Sequence, residues 1–416
     1  MTHPVEIMAP AGNRECLEAA LQAGADSVYF GVGQLNMRAK ATNNFSASDL
    51  PEIVDRCNTQ DVKTYLTLNT VLYDKDLPMM KEAVDLAAKA GVSAVIASDQ
   101  AAIMYARRQG LPVHISTQAN ISNSEMVRFY SNFADVMVLA RELSLQQVAE
   151  IVKTIESEQI TGPSGELVRI EVFAHGALCM AVSGKCYLSL HTYNTSANRG
   201  ACRQNCRHTY RVESDDGNEL EIDNEYIMSP KDLCTIDFLD EVLKSGIRVL
   251  KIEGRGRSAE YVKTVTRCYK EAAEAVCADR YTEDNIREWK SRLASVYNRG
   301  FWDGYYLGRK LGEWAEKRGS AATMKKLYAG DILNYFARPR VAHAILKSES
   351  LSAGDRILII GETTGVVEYQ IDSLWVDDQP AQQATKGVEC TFPLPEKVRT
   401  GDTLYLWVQR TEPVFG

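Results

Sequence analysis

Four cysteines crowd the middle of the chain: Cys179, Cys186, Cys202 and Cys206, spaced Cys-x6-Cys-x15-Cys-x3-Cys. The chain holds ten cysteines, and five fall between residues 179 and 234. Clustered thiols in a reducing compartment are more often metal or redox ligands than disulfide partners. Four thiolates suit a [4Fe–4S] cluster or a structural zinc. A Cys-x2-Cys knuckle, common at zinc, is absent, which favours iron–sulfur. Gly176, Gly184 and Gly200 stand near these cysteines, where backbone must approach a cluster without a side chain in the way. Arg199, Arg203, Arg207 and Arg211 flank the last two cysteines and would offset thiolate charge or meet an anionic substrate. The bland reading of any cysteine is a small buried apolar residue. That is the expectation for Cys16, Cys57, Cys268, Cys277 and Cys390. Cys234, in Ser-Pro-Lys-Asp-Leu-Cys, could replace one of the four as a ligand.

The elements that would position these groups repeat one theme. Glu6–Gly12 reads as a buried strand stopped by Pro and Gly, and Arg14–Gly24 as a helix with apolar Leu17, Ala20 and Leu21 at helical spacing. Further strands are expected at 25–31, 63–69, 93–98, 112–119, 135–140, 168–173 and 248–253, with helices between them. Eight short apolar strands alternating with helices imply a parallel sheet. Over about 250 residues that points to a (β/α)8 TIM-like barrel, spanning residues 1–280, with an open doubly wound sheet as the competitor. A cysteine-rich insertion, 176–247, swells the seventh unit far beyond the roughly 30 residues a strand–helix–strand unit needs.

In a barrel, functional groups sit at the C-terminal strand ends. The candidates there are Asn69, Asp99, Gln118, Asn120, Arg141, Glu142, His175, Glu253 and Arg255, each of which could instead cap a helix or sit in a loop. Residues 281–325 read as a helical, aromatic connector. From 326 to 416 short alternating runs separated by Gly-Asp and Asp-Asp turns predict a small β-barrel.

Composition is ordinary for a globular chain: 416 residues, 45% hydrophobic and 25% charged. The net charge of −8 argues against a nucleic-acid coat but leaves room for a local basic groove. Apolar runs fall short of the roughly 20 residues of a membrane span, so no membrane association is expected. The opening Met1-Thr2-His3-Pro4-Val5-Glu6 lacks a basic region followed by an apolar stretch, and a cytoplasmic location is expected.

The segment Glu171-Val172-Phe173-Ala174-His175-Gly176-Ala177-Leu178-Cys179, followed by Ser183-Gly184-Lys185-Cys186-Tyr187-Leu188-Ser189, resembles the signature of peptidase family U32. The opening PAGNRECLEAALQAGADSVYFG, the later MSPKDLC and the run LKIEGRGRSAEYVKTV resemble the same family. So does NRGFWDGYY, with Trp302-Asp303-Gly304-Tyr305 where the family usually carries Thr-Thr-Gly-Phe. The likeness spans about residues 5–310 and is greatest to the family's tRNA hydroxylation branch. It implies formation of 5-hydroxyuridine at the wobble position of the tRNA anticodon stem-loop, independent of oxygen and dependent on prephenate. It also implies that Cys179, Cys186, Cys202 and Cys206 hold an iron–sulfur cluster. Another branch hydroxylates a ubiquinone precursor and has its fourth cysteine further downstream. Cys206 favours the tRNA branch, while Cys234 keeps the other open.

On the tRNA reading, His175 is the expected general acid/base. Arg141, Arg255 and Arg257 would hold phosphate or the carboxylates of prephenate, and Glu253 completes the candidate catalytic set. The Gly-Asp turns of the last domain resemble the second domain of elongation factors, a small barrel that often contacts tRNA. Two readings compete. One is a peptidase, for which no His-Glu-x-x-His occurs and a cysteine nucleophile would need His175, His191 or His208. The other is a non-enzymatic RNA-binding protein with structural zinc.

Overall fold

Short buried strands alternating with helices build the first domain. The computed structural model describes residues 5–39, 44–210, 226–308, 312–316 and 319–411. Strand β1 (Glu6–Pro10) ends at proline, and Asn13 then caps α1 (Arg14–Gln22) by accepting from the Cys16 N–H at 2.9 Å. The cycle continues through β2 (Ser27–Phe30), α2 (Leu50–Asn58), β3 (Lys63–Leu68), α3 (Leu77–Ala90), β4 (Ala94–Ala97) and α4 (Gln100–Arg108). Then come β5 (Val113–Ile115), α5 (Ser124–Tyr130), β6 (Val136–Val138), α6 (Leu145–Ser157) and β7 (Arg169–Gly176). The cysteine-rich segment carries α7 (Leu188–Tyr193) and β8 (Asp232–Cys234); α8 (Leu239–Lys244), β9 (Val249–Ile252) and α9 (Ala259–Cys277) follow.

Strands β1 to β7 pair in chain order, all parallel, and β9 pairs parallel with both β7 and β1. The ring is closed, which makes the domain a (β/α)8 barrel and excludes the open sheet. All eight expected strands are in it. Strand β8 stands outside the ring, antiparallel to the end of β7 and parallel to β10 (Phe301–Trp302). Met8, Tyr29, Tyr65, Ile96, Val136 and Val249 form a small apolar cluster drawn from strands all round the ring. A second, larger core lies between the strands and the helices.

Helix α10 (Glu283–Ser295) leads into an antiparallel β unit. Its strands are β11 (Met324–Phe336), β12 (Val341–Leu346), β13 (Leu351–Ser352), β14 (Arg356–Gly361) and β15 (Gly365–Gln370). They continue as β16 (Leu374–Val376), β17 (Gln379–Ala381), β18 (Gln383–Ala384), β19 (Glu389–Pro393) and β20 (Thr403–Gln409). The main sheet runs β15-β14-β20-β11-β12-β19-β16-β17, and β13 pairs with β18. Alternation on β12 sends Ala342, Ala344 and Leu346 into a separate core.

The two units share apolar contacts, because Leu358, Val366 and Trp407 belong to the barrel's core. Gln22 of α1 bridges them: its Nε2 donates to Thr364 O at 2.6 Å and its Oε1 accepts from the Val366 N–H at 3.0 Å. Gln22→Ala strands both backbone groups and is expected to cost on the order of 1–3 kcal/mol. A urea midpoint equal to that of the wild type would contradict this. No helix among the described residues is long and apolar enough to cross a membrane.

Candidate active site

Period-two alternation on β9 and the turn after it aims Lys251, Glu253 and Arg255 the same way. All three line a cavity of about 220 Å³ at the C-terminal strand ends, which the cysteine-rich segment partly covers. Seven cationic side chains border it: Arg38, Arg141, Arg207, Lys251, Arg255, Arg257 and Arg299. Glu253 is the one lining carboxylate among the described residues. Three of the cations are matched, Arg38 by Glu253 at 2.6 Å, Lys251 by Glu171 at 2.7 Å and Arg299 by Asp232 at 3.1 Å.

The other four have no carboxylate in ion-pair range among the described residues. Arg255 donates to Thr67 Oγ1 at 3.0 Å and Asn36 Oδ1 at 2.9 Å. Arg141 lies 3.7 Å over the Phe173 ring and donates to Ala177 O at 2.9 Å, while its buried Nε finds no acceptor. Arg207 donates to Ser229 Oγ at 3.0 Å and Pro230 O at 2.8 Å; Arg257 lies 3.7 Å over Tyr297. Burial pulls Arg255 down to about 10 and moves Arg141 and Arg207 down too. Desolvated guanidinium groups with no carboxylate in contact are suited to receive a carboxylate or phosphate.

Burial alone would raise Glu253, but Arg38, Arg257 and Arg141 outweigh it and lower the carboxyl from 4.5 to about 2. Glu6 reaches about 2 in the same way, burial being overcome by the Tyr65 hydroxyl and Lys63. Carboxylates held below their unfolded value stabilise the fold above about pH 4.5, and that contribution is lost as pH falls toward 2. Urea midpoints are therefore expected to fall between pH 4.5 and 2, less steeply in Glu253→Gln. Equal slopes for the two proteins would contradict the assignment.

Cys179, Cys202 and Cys206 line the same cavity. Burial pushes the Cys206 thiol up, Arg207 opposes it, and charge on Cys179, Cys202 and Cys186 adds to the rise. Cys206 thus lies within electrostatic reach of each of the other three thiols. No group of three His, Cys, Asp or Glu among the described residues stands in metal-holding geometry. The donor set still fits an anionic metal–thiolate group, since three of the four thiols line a cavity with surplus positive charge. The nearby glycines have a different reason from the expected one. Gly176 (φ 108°) and Gly200 (φ 77°) are left-handed, and an added Cβ would meet Glu253 O at 2.6 Å and Asn36 O at 2.3 Å. They serve the chain's contact with itself.

Among the other expected residues, Asn69 and Gln118 line the cavity. Asp99 caps α4, Asn120 takes a left-handed turn and Glu142 is exposed. His175 is not at the cavity. A bulge between Phe173 and His175 turns it outward, against Tyr261 and Tyr269 of α9 and against Phe301. Burial lowers it to about 3, so it is neutral. Cys234 pairs across from it on β8, buried, its thiol pushed up to about 12, and it does not line the cavity. Cys16, Cys57, Cys268 and Cys390 are buried as expected; Cys277 is instead exposed, at the end of α9. Arg199 pairs with Asp76 at 2.7 Å, Arg203 is exposed, and Arg211 lies outside the described residues. Arg38, Arg299 and Lys251 belong to the site without having been expected there. Only Lys251 had a signal, two residues before Glu253 on one strand.

A closed (β/α)8 barrel with a cationic, thiol-bordered cavity at its C-terminal strand ends has the layout of a barrel enzyme. The chain belongs to peptidase family U32, whose model matches residues 12–316. It is 56% identical to a protein named collagenase from Porphyromonas gingivalis, over 98% of this chain and 99% of that one. It is 32% identical to tRNA hydroxylation protein P1 of Bacillus subtilis, over 91% and 88% of the two chains. It is 33% identical to the 23S rRNA 5-hydroxycytidine C2501 synthase of Escherichia coli, over 67% of this chain and 41% of that one.

Proposed function

We propose that the chain is a cytoplasmic RNA hydroxylase that forms 5-hydroxyuridine in the tRNA anticodon stem-loop, with prephenate as co-substrate. The observation that carries this reading is the surplus of cations in a cavity bordered by three of the four clustered cysteines. The relatives named for RNA hydroxylation support it. A base must leave its stack before its ring carbon can react. The cavity is smaller than the roughly 300–1,000 Å³ of drug-sized sites, so it suits one extruded base or a compact dicarboxylate. Arg141 and Arg255 offer guanidinium groups to a carboxylate or phosphate, and Arg257 flanks them. Glu253, ionised and tied to Arg38, fixes the rim. Cys179, Cys186, Cys202 and Cys206 would hold a [4Fe–4S] cluster, with zinc as the alternative metal. Such a cluster, when bound, supplies one-electron chemistry beside the base. The β unit offers a strand surface of the kind that binds RNA. His175, neutral and behind the wall, takes no proton-transfer role here.

The collagenase name of a 56% identical relative favours a second reading, a peptidase. A cysteine protease needs a histidine beside its thiol, and no histidine lines the cavity among the described residues. Nucleoside analysis of tRNA from cells with and without the gene, together with a gelatin-cleavage assay of the purified protein, tests the two readings. Loss of 5-hydroxyuridine without gelatinolysis is the expected result.

A further inference from the structure

Lys251 is an amine buried in the wall of the cavity. Its one hydrogen-bond partner among the described residues is Glu171 Oε1, at 2.7 Å. Its Nζ lies 4.6 Å from the Tyr29 ring and 5.7 Å from the Phe173 ring, and Arg141 approaches the same Phe173 ring at 3.7 Å. An amine and a guanidinium thus approach the same phenyl ring. Glu171 is fully buried, and its second oxygen, Oε2, has no hydrogen-bond partner among the described residues. His114 Nδ1 lies 4.0 Å from that oxygen, and burial keeps this imidazole neutral.

We infer that Lys251 forms a covalent imine with a 2-oxo acid held by Arg141 and Arg255, with Glu171 as the proton carrier. The Lys251 ammonium passes one proton to the Glu171 carboxylate. The freed lone pair adds to the ketone carbon, and one of the two protons still on nitrogen passes to the carbonyl oxygen, which becomes the hydroxyl of a carbinolamine. Glu171 returns its proton to that hydroxyl, which leaves as water while the nitrogen lone pair completes the C=N bond. Ammonium plus ketone thus gives protonated imine plus water, with no oxidant or reductant. Burial lowers Lys251 and raises Glu171, which eases the first transfer. The inference rests on the hydroxylation reading only for the choice of acid, since prephenate carries a 2-oxo acid group.

The test treats the purified full-length protein with phenylpyruvate and sodium cyanoborohydride, then maps lysines by mass spectrometry. A gain equal to the acid less one oxygen is expected on Lys251, at least ten-fold above any other lysine. Lys251→Arg, which keeps the charge, is expected to lose it. No adduct, or labelling spread equally over surface lysines, would overturn the imine. The readout is made on the wild type, so an unstable variant does not obscure it. Cellular tRNA measured in parallel separates the two claims. Normal 5-hydroxyuridine with an unlabelled Lys251 sinks the imine alone, whereas a labelled Lys251 with tRNA that never depends on the gene upholds the imine and sinks the hydroxylation reading.

Discussion

Cys179→Ala, purified without oxygen, is expected to lose its iron and labile sulfide and to fail to restore 5-hydroxyuridine in a deletion strain. Cys179 is an exposed thiol that lines the cavity beside Cys202 and Cys206. Removing one of four thiolates leaves a cluster with an open, exchangeable corner. Loss of a supporting group around a metal costs roughly 10–100-fold, and loss of a ligand exceeds that. Nucleoside formation should therefore fall below about a hundredth of wild type. Cys277→Ala is the matched control, an exposed thiol at the far end of α9. Iron retained in Cys179→Ala, or zinc without iron in the wild type, would sink the cluster assignment.

Lys251→Met is expected to destabilise the barrel by about 3–5 kcal/mol. It leaves Glu171, which is fully buried, as a charge with no cation in contact. Lys251→Met combined with Glu171→Leu removes both charges and should recover most of the loss, because an apolar pair of similar volume often matches a buried ion pair. Urea denaturation of the three proteins at neutral pH measures both numbers. A single variant within about 1 kcal/mol of wild type would show that water or another cation already compensates Glu171.

The barrel was legible because its strands are short apolar runs between capped helices, a pattern that local physics writes plainly. Asn13 before α1 and Gly91 (φ 77°) after α3 are such marks. Strand β8 carries no comparable signal. Its three residues, Asp232–Cys234, become a strand by pairing with the end of β7. His175 shows the limit of counting by twos. Phe173 lines the cavity, so alternation puts His175 there too, but one bulge re-aims it at α9. Of the four thiols singled out by their spacing, Cys179, Cys202 and Cys206 line the cavity and Cys186 does not. The cations facing it were legible only in part: Arg141 and Arg255 end strands, whereas Arg38 arrives from a loop and pairs with Glu253 215 residues away. Such a contact follows from tertiary closure and has no local trace.

The central claim, RNA hydroxylation at a cysteine-bordered anion site, is tested most directly by nucleoside mass spectrometry of tRNA. Three strains are compared: one with the gene, one without it, and one complemented by Cys179→Ala. The account predicts 5-hydroxyuridine and its derivatives in the first and their absence from the other two. Unchanged 5-hydroxyuridine in the deletion strain, with no second enzyme of this kind present, would contradict it and move peptidase chemistry or quinone-precursor hydroxylation ahead.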